Sequence, residues 1–170
     1  VAVAFWNLVG AALFGFLINP PLALYYMQGL NTTPLHGHTA LFGVYGMLGI
    51  GLMLFCLRGL GRTAVWDEKL LKGSFWTLNI GLALMALLSL LPQGLMQVYA
   101  AVTHGFWYAR SAEFLQQPLM QTLVWLRMPG DVVFSIGAGM LALFVAKLYI
   151  GKAKPAPVPA TTVAEATTGR

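Results

Sequence analysis

Two of the chain's three histidines stand one residue apart near the start of a long apolar run, which reads Leu35-His36-Gly37-His38-Thr39-Ala40-Leu41-Phe42-Gly43. A histidine inside an apolar segment of membrane-spanning length is costly, and it therefore marks a candidate functional site. At about 100° per residue, side chains at positions i and i+2 diverge by about 200° on a helix. His36 and His38 are thus predicted to leave one helix on opposite faces and to serve two different partners.

The composition is that of an integral membrane protein. Of the 170 residues, 58% are hydrophobic and 9% are charged, whereas a soluble domain carries about 25% charged residues. The net charge of +5 does not indicate a nucleic-acid partner, because the basic residues flank apolar segments, where they set orientation. The single cysteine, Cys56, excludes an internal disulfide and is predicted to be a small buried hydrophobic residue.

The apolar segments predict an all-α protein with four transmembrane helices, each close to the length of about 20 residues that a span requires. The predicted spans cover residues 1–18, 33–57, 73–91 and 132–150. Prolines at positions 20 and 21 interrupt the chain after the first span. Thr32 or Thr33 is predicted to cap the second span, with Pro34 at its first helical position.

The remaining segments are assigned by composition and by the distribution of basic residues. Residues 98–128 are predicted to form a polar and aromatic external loop with one or two partly helical segments. The basic loop at 58–72 is predicted to be cytoplasmic, as is a disordered tail at 151–170. The histidine pair then lies toward the outer side of the membrane. Because the chain begins inside an apolar stretch, we expect it to be the C-terminal part of a longer polypeptide.

The two faces of the histidine helix differ in the side chains beside each imidazole. His36 shares its face with small residues, Thr39, Ala40 and Gly43, which are expected to leave room beside it, whereas His38 shares its face with Leu41, Phe42 and Tyr45. The helix also contains Gly46, Gly49 and Gly51. Small residues in a membrane helix allow close approach, either of another helix or of a flat ligand. Both interpretations remain open at this point.

Several functions of the histidine pair can be compared. A proton relay would need intramembrane carboxylates, and no Asp or Glu lies in the middle of a predicted span. A zinc site is disfavoured because the two side chains diverge and no cluster of Cys, His and carboxylate accompanies them. Histidines that bond to backbone or water remain an alternative. Axial ligation of two haems, one on each side of the helix, fits best because imidazole is a common haem ligand.

The quoted stretch resembles the tenth helix of the catalytic subunit in the haem–copper oxidase superfamily. Residues 40–61 and the segment 104–114, which reads His-Gly-Phe-Trp-Tyr-Ala-Arg-Ser-Ala-Glu-Phe, resemble nitric oxide reductase more closely than the oxygen-reducing members. Residues 42–53 resemble the single-chain, quinol-dependent form. The resemblance covers nearly all of residues 1–149. It implies a C-terminal part of a bundle of twelve or more helices in a bacterial inner membrane.

The resemblance implies specific roles for the two histidines. His36 would ligate the iron of the high-spin haem b3, and His38 would be one of two axial ligands of the low-spin haem b. Electrons would pass from quinol to haem b and then to a centre of haem b3 and a non-haem iron. Two molecules of nitric oxide would be reduced there to nitrous oxide and water.

The chain departs from the family pattern because it lacks the other metal ligands. Of the histidines only His104 remains, and it is predicted to be solvated or hydrogen-bonded in the external loop. The non-haem iron, its ligands and the second haem b ligand are therefore expected in an upstream part of the same enzyme. This chain alone is not expected to be active. Its expected partners are that upstream part, quinol, nitric oxide and the lipid bilayer.

Two arginines are candidates for binding the haem propionates. Arg110 is the first candidate, with an ordinary surface pair between Arg110 and Glu113 as the alternative. Arg127 is the second candidate. Two other functions stay open for the whole protein: a haem–copper terminal oxidase, and a non-enzymatic haem b subunit for electron transfer.

Overall fold

The structure, a computed structural model, describes residues 1–60 and 66–150 and is helical without strands over those ranges. This confirms the predicted all-α class. The helices are α1 (Ala2–Ile18), α2 (Pro21–Met27), α3 (Thr32–Gly59), α4 (Glu68–His104), α5 (Ala112–Leu115), α6 (Pro118–Trp125) and α7 (Met128–Ile150). The predicted tail at 151–170 lies outside the described residues.

Three helical segments in the described chain are long and apolar enough to cross a membrane. They are α3, α4 and the continuous α6–α7 segment over Pro118–Ile150. A fourth span results if α1 and α2 are one broken span, since they pass the same test together and meet at a bend of 93°. The bend falls at the two prolines, because proline removes a backbone donor and its ring disfavours a helical residue before it.

Helix α4 is much longer than the predicted span at 73–91. It begins at Glu68 because the Asp67 carboxylate accepts the Leu70 N–H at 3.1 Å and caps the first turn. It passes through Pro92 without ending. The π-helical turns at Met85–Leu90 come immediately before this proline, and such local adjustment re-satisfies the backbone groups that a proline frees.

The predicted external loop at 98–128 is therefore mostly helical. Its first residues belong to α4, and α5 and α6 occupy much of the remainder. Ser111 caps α5 by accepting the Phe114 N–H on its hydroxyl at 3.2 Å. A turn at Leu126 and Arg127 joins α6 to α7, which begins at Met128, close to the start predicted for the last span.

Glycines set the closest contact between α4 and α7. A Cβ added at Gly137 would lie 2.6 Å from the Thr77 hydroxyl oxygen, and one added at Gly130 would lie 2.6 Å from the Met85 backbone nitrogen. The Ser74 hydroxyl donates to the Gly137 carbonyl at 2.8 Å across the same interface. The two helices are therefore held by small-residue packing and an interhelical hydrogen bond, as is usual in membranes.

The same type of packing joins α1 to α3, and it corrects one expectation about the histidine helix. A Cβ at Gly43 would lie 2.6 Å from Trp6 Cγ, and one at Gly10 would lie 2.7 Å from Thr39 Cβ. The space beside the small residues near His36 is thus filled by α1. Helix packing is the correct interpretation for Gly43.

The far half of α3 is open over the described residues. Gly49 and Gly51 have no other atom within 4 Å of an added Cβ. Cys56, which was predicted to be buried, is exposed on this part of the helix. The apolar residues Leu52 and Phe55 beside it are exposed as well. A hydrophobic residue in a membrane-spanning sequence is therefore not necessarily buried within the protein.

The helix ends fall into two groups. At one end, Lys147 Nζ donates to Asp67 Oδ2 at 2.8 Å, and the Arg58 guanidinium lies 5.6 Å from the ring centroid of Trp66. At the other end, the Asn31 N–H donates to Gln97 Oε1 at 2.8 Å. The end of α3, the start of α4 and the end of α7 therefore share one side, and the two histidines lie toward the opposite side.

Candidate functional site

The two histidines of α3 face different neighbouring helices. His36 Nδ1 lies 2.8 Å from the Gly10 carbonyl oxygen on α1. His38 Nε2 lies 3.2 Å from Arg127 Nη2, which stands just before α7. The predicted divergence of the pair is confirmed, although the helix is π-wound from His38 to Gly46 and so departs from the ideal winding used for the prediction.

The His36 imidazole is fixed by α1. A carbonyl oxygen only accepts hydrogen bonds, so the hydrogen bond to Gly10 requires the proton of a neutral imidazole to be on Nδ1. The Nε2 atom then presents its lone pair. A Cβ added at Gly15 would lie 2.9 Å from His36 Cε1, so α1 also packs directly against the ring.

The His38 imidazole has the same tautomer for two independent reasons. Its Nδ1 lies 2.7 Å from the Pro34 carbonyl oxygen, one turn earlier on the same helix, and must donate to it. Its Nε2 faces the Arg127 guanidinium, which is always protonated and can only donate. Nε2 is therefore the acceptor nitrogen of His38 as well.

This arrangement fits axial ligation of a metal in a haem. A ligating histidine typically donates its other ring N–H to a carbonyl or carboxylate, which fixes the ring and makes the ligating nitrogen more basic. His36 and His38 both have that partner in a backbone carbonyl. Within residues 1–60 and 66–150, no three residues of the types His, Cys, Asp and Glu are grouped to hold a separate metal ion.

A groove opens beside His38 along the junction of α6 and α7. Its volume is 720 Å³, and its only charged or hydroxyl-bearing lining residues are Arg127, Asp131 and Ser135. The apolar part of its lining consists of Val124, Trp125, Met128, Val132 and Ile136. The Arg127 guanidinium forms an ion pair with Asp131, with Nε 3.2 Å from the carboxylate. The groove is thus apolar with one cation close to His38 Nε2.

A buried polar ladder on α4 holds the start of the histidine helix. Asn31 precedes α3, and its N–H donates to Gln97 Oε1 at 2.8 Å, while its Nδ2 donates to Gln93 Oε1 at 2.9 Å. Gln93 Nε2 donates in turn to the Ser89 hydroxyl at 2.7 Å. The three α4 side chains are buried. They replace the hydroxyl cap predicted at Thr32 or Thr33, which the structure does not form.

These hydrogen bonds were not predicted from the sequence, although the spacing of the polar residues on α4 indicates a polar helix face. Ser89, Gln93 and Gln97 are spaced four residues apart in an otherwise apolar helix, and residues four apart lie on the same helix face. Asn31, the partner of Gln93 and Gln97, lies more than 60 residues from both in sequence, which conceals the connection.

Arg110 lies at the connection between α4 and α5. Its Nη1 donates to the Phe106 carbonyl at 2.7 Å, its Nη2 donates to the Gln28 carbonyl, and its guanidinium stacks 3.5 Å from the Phe106 ring centroid. Burial lowers the pKa of Arg110 from its usual value. In the described chain Arg110 forms no ion pair with Glu113 and contacts neither histidine, so the structure brings Arg127 and not Arg110 to the pair.

His104 lies at the C-terminal end of α4 and agrees with its predicted setting. It is exposed, and its Nδ1 lies 2.7 Å from the Thr103 hydroxyl. That hydroxyl already donates to the Tyr99 carbonyl, so His104 is the donor in this contact. Its ring also lies 5.1 Å from the ring centroid of Tyr108. It is a hydrogen-bonded surface histidine, separate from the pair on α3.

The chain matches a known protein family over most of its length. The family described as cytochrome c and quinol oxidase polypeptide I matches residues 1–133, which include α1 to α6 and the start of α7. No curated protein matches the chain. The matched range contains both histidines and the residues that contact their rings, which are Gly10, Gly15, Pro34 and Arg127.

Proposed function

Because the chain belongs to the cytochrome c and quinol oxidase polypeptide I family, whose members are membrane helical bundles that bind haems, we propose that His36 and His38 ligate two haems. The observation that carries the proposal is the shared tautomer of two imidazoles that face opposite neighbours. In this proposal His36 binds the iron of a high-spin haem b3, and His38 binds the iron of a low-spin haem b.

The chain's own residues position both ligands. His36 and His38 are two residues apart on one helix, so their nitrogens are held at a fixed separation by the backbone of α3. The Gly10 and Pro34 carbonyls orient the rings, and the Gln93–Gln97 ladder holds the start of α3. The haems, when bound, supply one-electron redox chemistry at iron. A rigid scaffold of this kind favours electron transfer between two fixed centres.

We further propose that the complete protein is a quinol-dependent nitric oxide reductase of the bacterial inner membrane, with its C-terminus cytoplasmic. The resemblance of residues 40–61 and 104–114 to nitric oxide reductase supports this activity, and that of residues 42–53 supports quinol as the electron donor. The non-haem iron and its ligands, in this proposal, come from an upstream part of the enzyme. The chain supplies the haem ligands and not a complete reaction centre.

A haem–copper terminal oxidase is the second candidate, and the family match favours it specifically, since the matched family is described by its cytochrome c and quinol oxidases. In both candidates His36 and His38 ligate haem iron. The candidates differ in the gas that is reduced and in the metal that accompanies the high-spin haem. A non-enzymatic haem b subunit is the third candidate, and it predicts haem spectra without turnover.

The test is gas consumption by the purified complete enzyme with quinol as the only reductant. We expect nitric oxide to be consumed, with one nitrous oxide formed for each two nitric oxide molecules, and metal analysis to show non-haem iron without copper. Oxygen consumption with stoichiometric copper would instead identify a terminal oxidase. Full haem content with neither gas consumed would identify the electron-transfer subunit.

A further inference from the structure

A narrow apolar cleft lies between α3 and α4 in the half of the molecule that is farther from the histidines. Its volume is 290 Å³. At its inner end Met47 and Leu78 are only 8% and 3% exposed. Ser74 also lines the cleft, but its hydroxyl proton is committed to the Gly137 carbonyl. The other lining residues that matter here are Ile50, Leu54, Leu71 and Lys72. We call this space the α3–α4 cleft.

The dimensions of the α3–α4 cleft match a single hydrocarbon chain. Met47 and Leu54 on α3 are seven residues apart, as are Leu71 and Leu78 on α4, so each wall is about 10 Å long. A volume of 290 Å³ over that length gives a mean cross-section of about 30 Å². A helix with its side chains is about 10 Å wide, with a cross-section of about 80 Å², and does not fit. An extended acyl chain does.

Cations stand at the open end of the α3–α4 cleft. Lys72 is one of its lining residues. Arg58 follows Leu54 by four residues and therefore lies on the same face of α3, one turn nearer the helix end. The Arg58 guanidinium lies 5.6 Å from the ring centroid of Trp66. Because tryptophan favours the boundary between membrane and water, this end of the cleft lies at the level of lipid head groups.

The two ends of the described helices differ in charge. At the cleft end the basic residues outnumber the acidic residues by four to two, whereas the opposite end has two of each. The residues of the cleft end are Arg58, Lys69, Lys72 and Lys147 with Asp67 and Glu68, and those of the opposite end are Arg110 and Arg127 with Glu113 and Asp131. The positive excess is complementary to an anionic ligand.

The acidic residues at the cleft end leave Lys72 accessible to a phosphate. Asp67 accepts from Lys147 at 2.8 Å. Glu68 lies 3.6 Å from Lys72 Nζ, but both side chains are more than three-quarters exposed, at 77% and 76%. An exposed ion pair of this kind contributes little to stability. A phosphate can therefore replace Glu68 as the partner of Lys72 at small cost.

We propose that the α3–α4 cleft binds one acyl chain of an anionic phospholipid, whose phosphate contacts Lys72 and Arg58. Basic pockets between membrane helices on the cytoplasmic side bind acidic lipid head groups, and the positive excess predicts that this end is cytoplasmic. A zwitterionic phospholipid offers the same chain but carries its own cation, so it gains less from the two basic side chains. The inference goes beyond the proposed function and does not depend on haem ligation.

Native mass spectrometry of the purified complete enzyme, after removal of lipid, measures this binding directly. Dioleoyl phosphatidylglycerol is the anionic probe, and dioleoyl phosphatidylcholine is the zwitterionic probe. We expect the wild type to bind the first phosphatidylglycerol more tightly than phosphatidylcholine. Lys72→Gln should raise the Kd for phosphatidylglycerol about fivefold, the factor that one cation near an anionic lipid supplies. It should leave the Kd for phosphatidylcholine unchanged.

Matched controls separate the site from general attraction of charge. Lys69→Gln removes the same charge from an exposed position that does not line the cleft, and it should change the Kd less than Lys72→Gln does. Ile50→Trp fills the cleft from the α3 wall and should weaken binding of both lipids tenfold or more. Leu52→Trp adds the same side chain at an exposed position outside the cleft and should bind as the wild type does.

Several results would overturn the inference. Equal Kd values of the wild type for the two lipids would do so, as would equal losses in Lys72→Gln and Lys69→Gln, which indicate diffuse attraction. Wild-type binding in Ile50→Trp would place the lipid elsewhere, and no binding by the wild type would show that another part of the enzyme covers the cleft. The lysine variants keep the test valid if Ile50→Trp does not accumulate. The haem absorption bands of Lys72→Gln should match the wild type, so failure here leaves the proposed function intact.

Discussion

His36 and His38 have different neighbours. Helix α1 packs against the His36 ring at Gly15 and against the backbone of α3 at Gly10. His38 has its own helix on one side and the Arg127 groove on the other. The opposite orientation was predictable from the spacing of two residues. The Arg127 contact was not, because it joins residues 89 positions apart and depends on how α7 packs.

A substitution at Gly15 tests the packing around His36. Gly15→Ala places a Cβ 2.9 Å from His36 Cε1, so the ring or α1 must shift. Overpacking of this kind costs about 1–3 kcal/mol. We expect the complete enzyme to lose high-spin haem relative to low-spin haem, as measured by absorption spectroscopy. Gly49→Ala is the matched control, since its added Cβ meets no atom within 4 Å; equal ratios in both variants would show that the packing does not position His36.

At the scale of helices, the sequence predicts where a helix begins or ends when nearby residues determine that point. It does not predict the point when packing between helices determines it. Helix α7 begins at Met128, close to residue 132, where the last span was predicted to begin. Helix α4 is longer than the predicted span at 73–91, because the π-helical turns before Pro92 allow the helix to continue through it. The room expected beside His36 was wrong for a similar reason: small residues show that something approaches closely, but not whether it is a ligand or a helix.

The buried polar ladder on α4 predicts that removal of one of its amides lowers the thermal stability of the protein. Gln97→Leu leaves the Asn31 N–H without its acceptor, and an unsatisfied buried donor costs about 1–3 kcal/mol. We expect a lower Tm of the complete enzyme in a thermal unfolding assay in detergent. Gln121→Leu is the control, because Gln121 is exposed and its amide donates to the nearby Leu115 carbonyl. A Tm loss no larger than that of the control would contradict the role given to the ladder.

The hydrogen bond between Lys147 of α7 and Asp67, which caps α4, predicts that thermal stability depends on pH. The hydrogen bond from Lys147 and that from the Leu70 N–H hold the pKa of Asp67 below its usual range. A lowered folded pKa means that this stabilisation is present above the unfolded pKa of about 3.9 and is lost as the pH falls through the folded pKa.

Asp67→Asn keeps a good N-cap residue but removes the charge that pairs with Lys147. We expect a small decrease in Tm at neutral pH and no difference from the wild type at a pH below the folded pKa of Asp67. Thermal unfolding across that pH range measures both. A difference in Tm that persists unchanged at acid pH would show that the charge of Asp67 is not the cause.

Over the whole molecule, the described helices form a scaffold that places one histidine helix between α1 and α7. The all-α membrane class was accessible from sequence because the apolar segments are local features, and the superfamily was accessible through the resemblance of residues 35–43. The partners of each imidazole were not, since Gly10, Arg127 and Gln97 reach α3 only through helix packing. The proposal that one helix ligates two haems rests both on local sequence features and on contacts between packed helices.

The most direct measurement is the absorption and electron paramagnetic resonance spectra of two single variants of the complete enzyme. His36→Ala should lose the high-spin haem signal and turnover while it keeps the low-spin signal. His38→Ala should lose the low-spin signal, because the proposed function assigns the free lone pair of His38 Nε2 to the haem iron. Retention of both haem signals in both variants would contradict ligation by this pair.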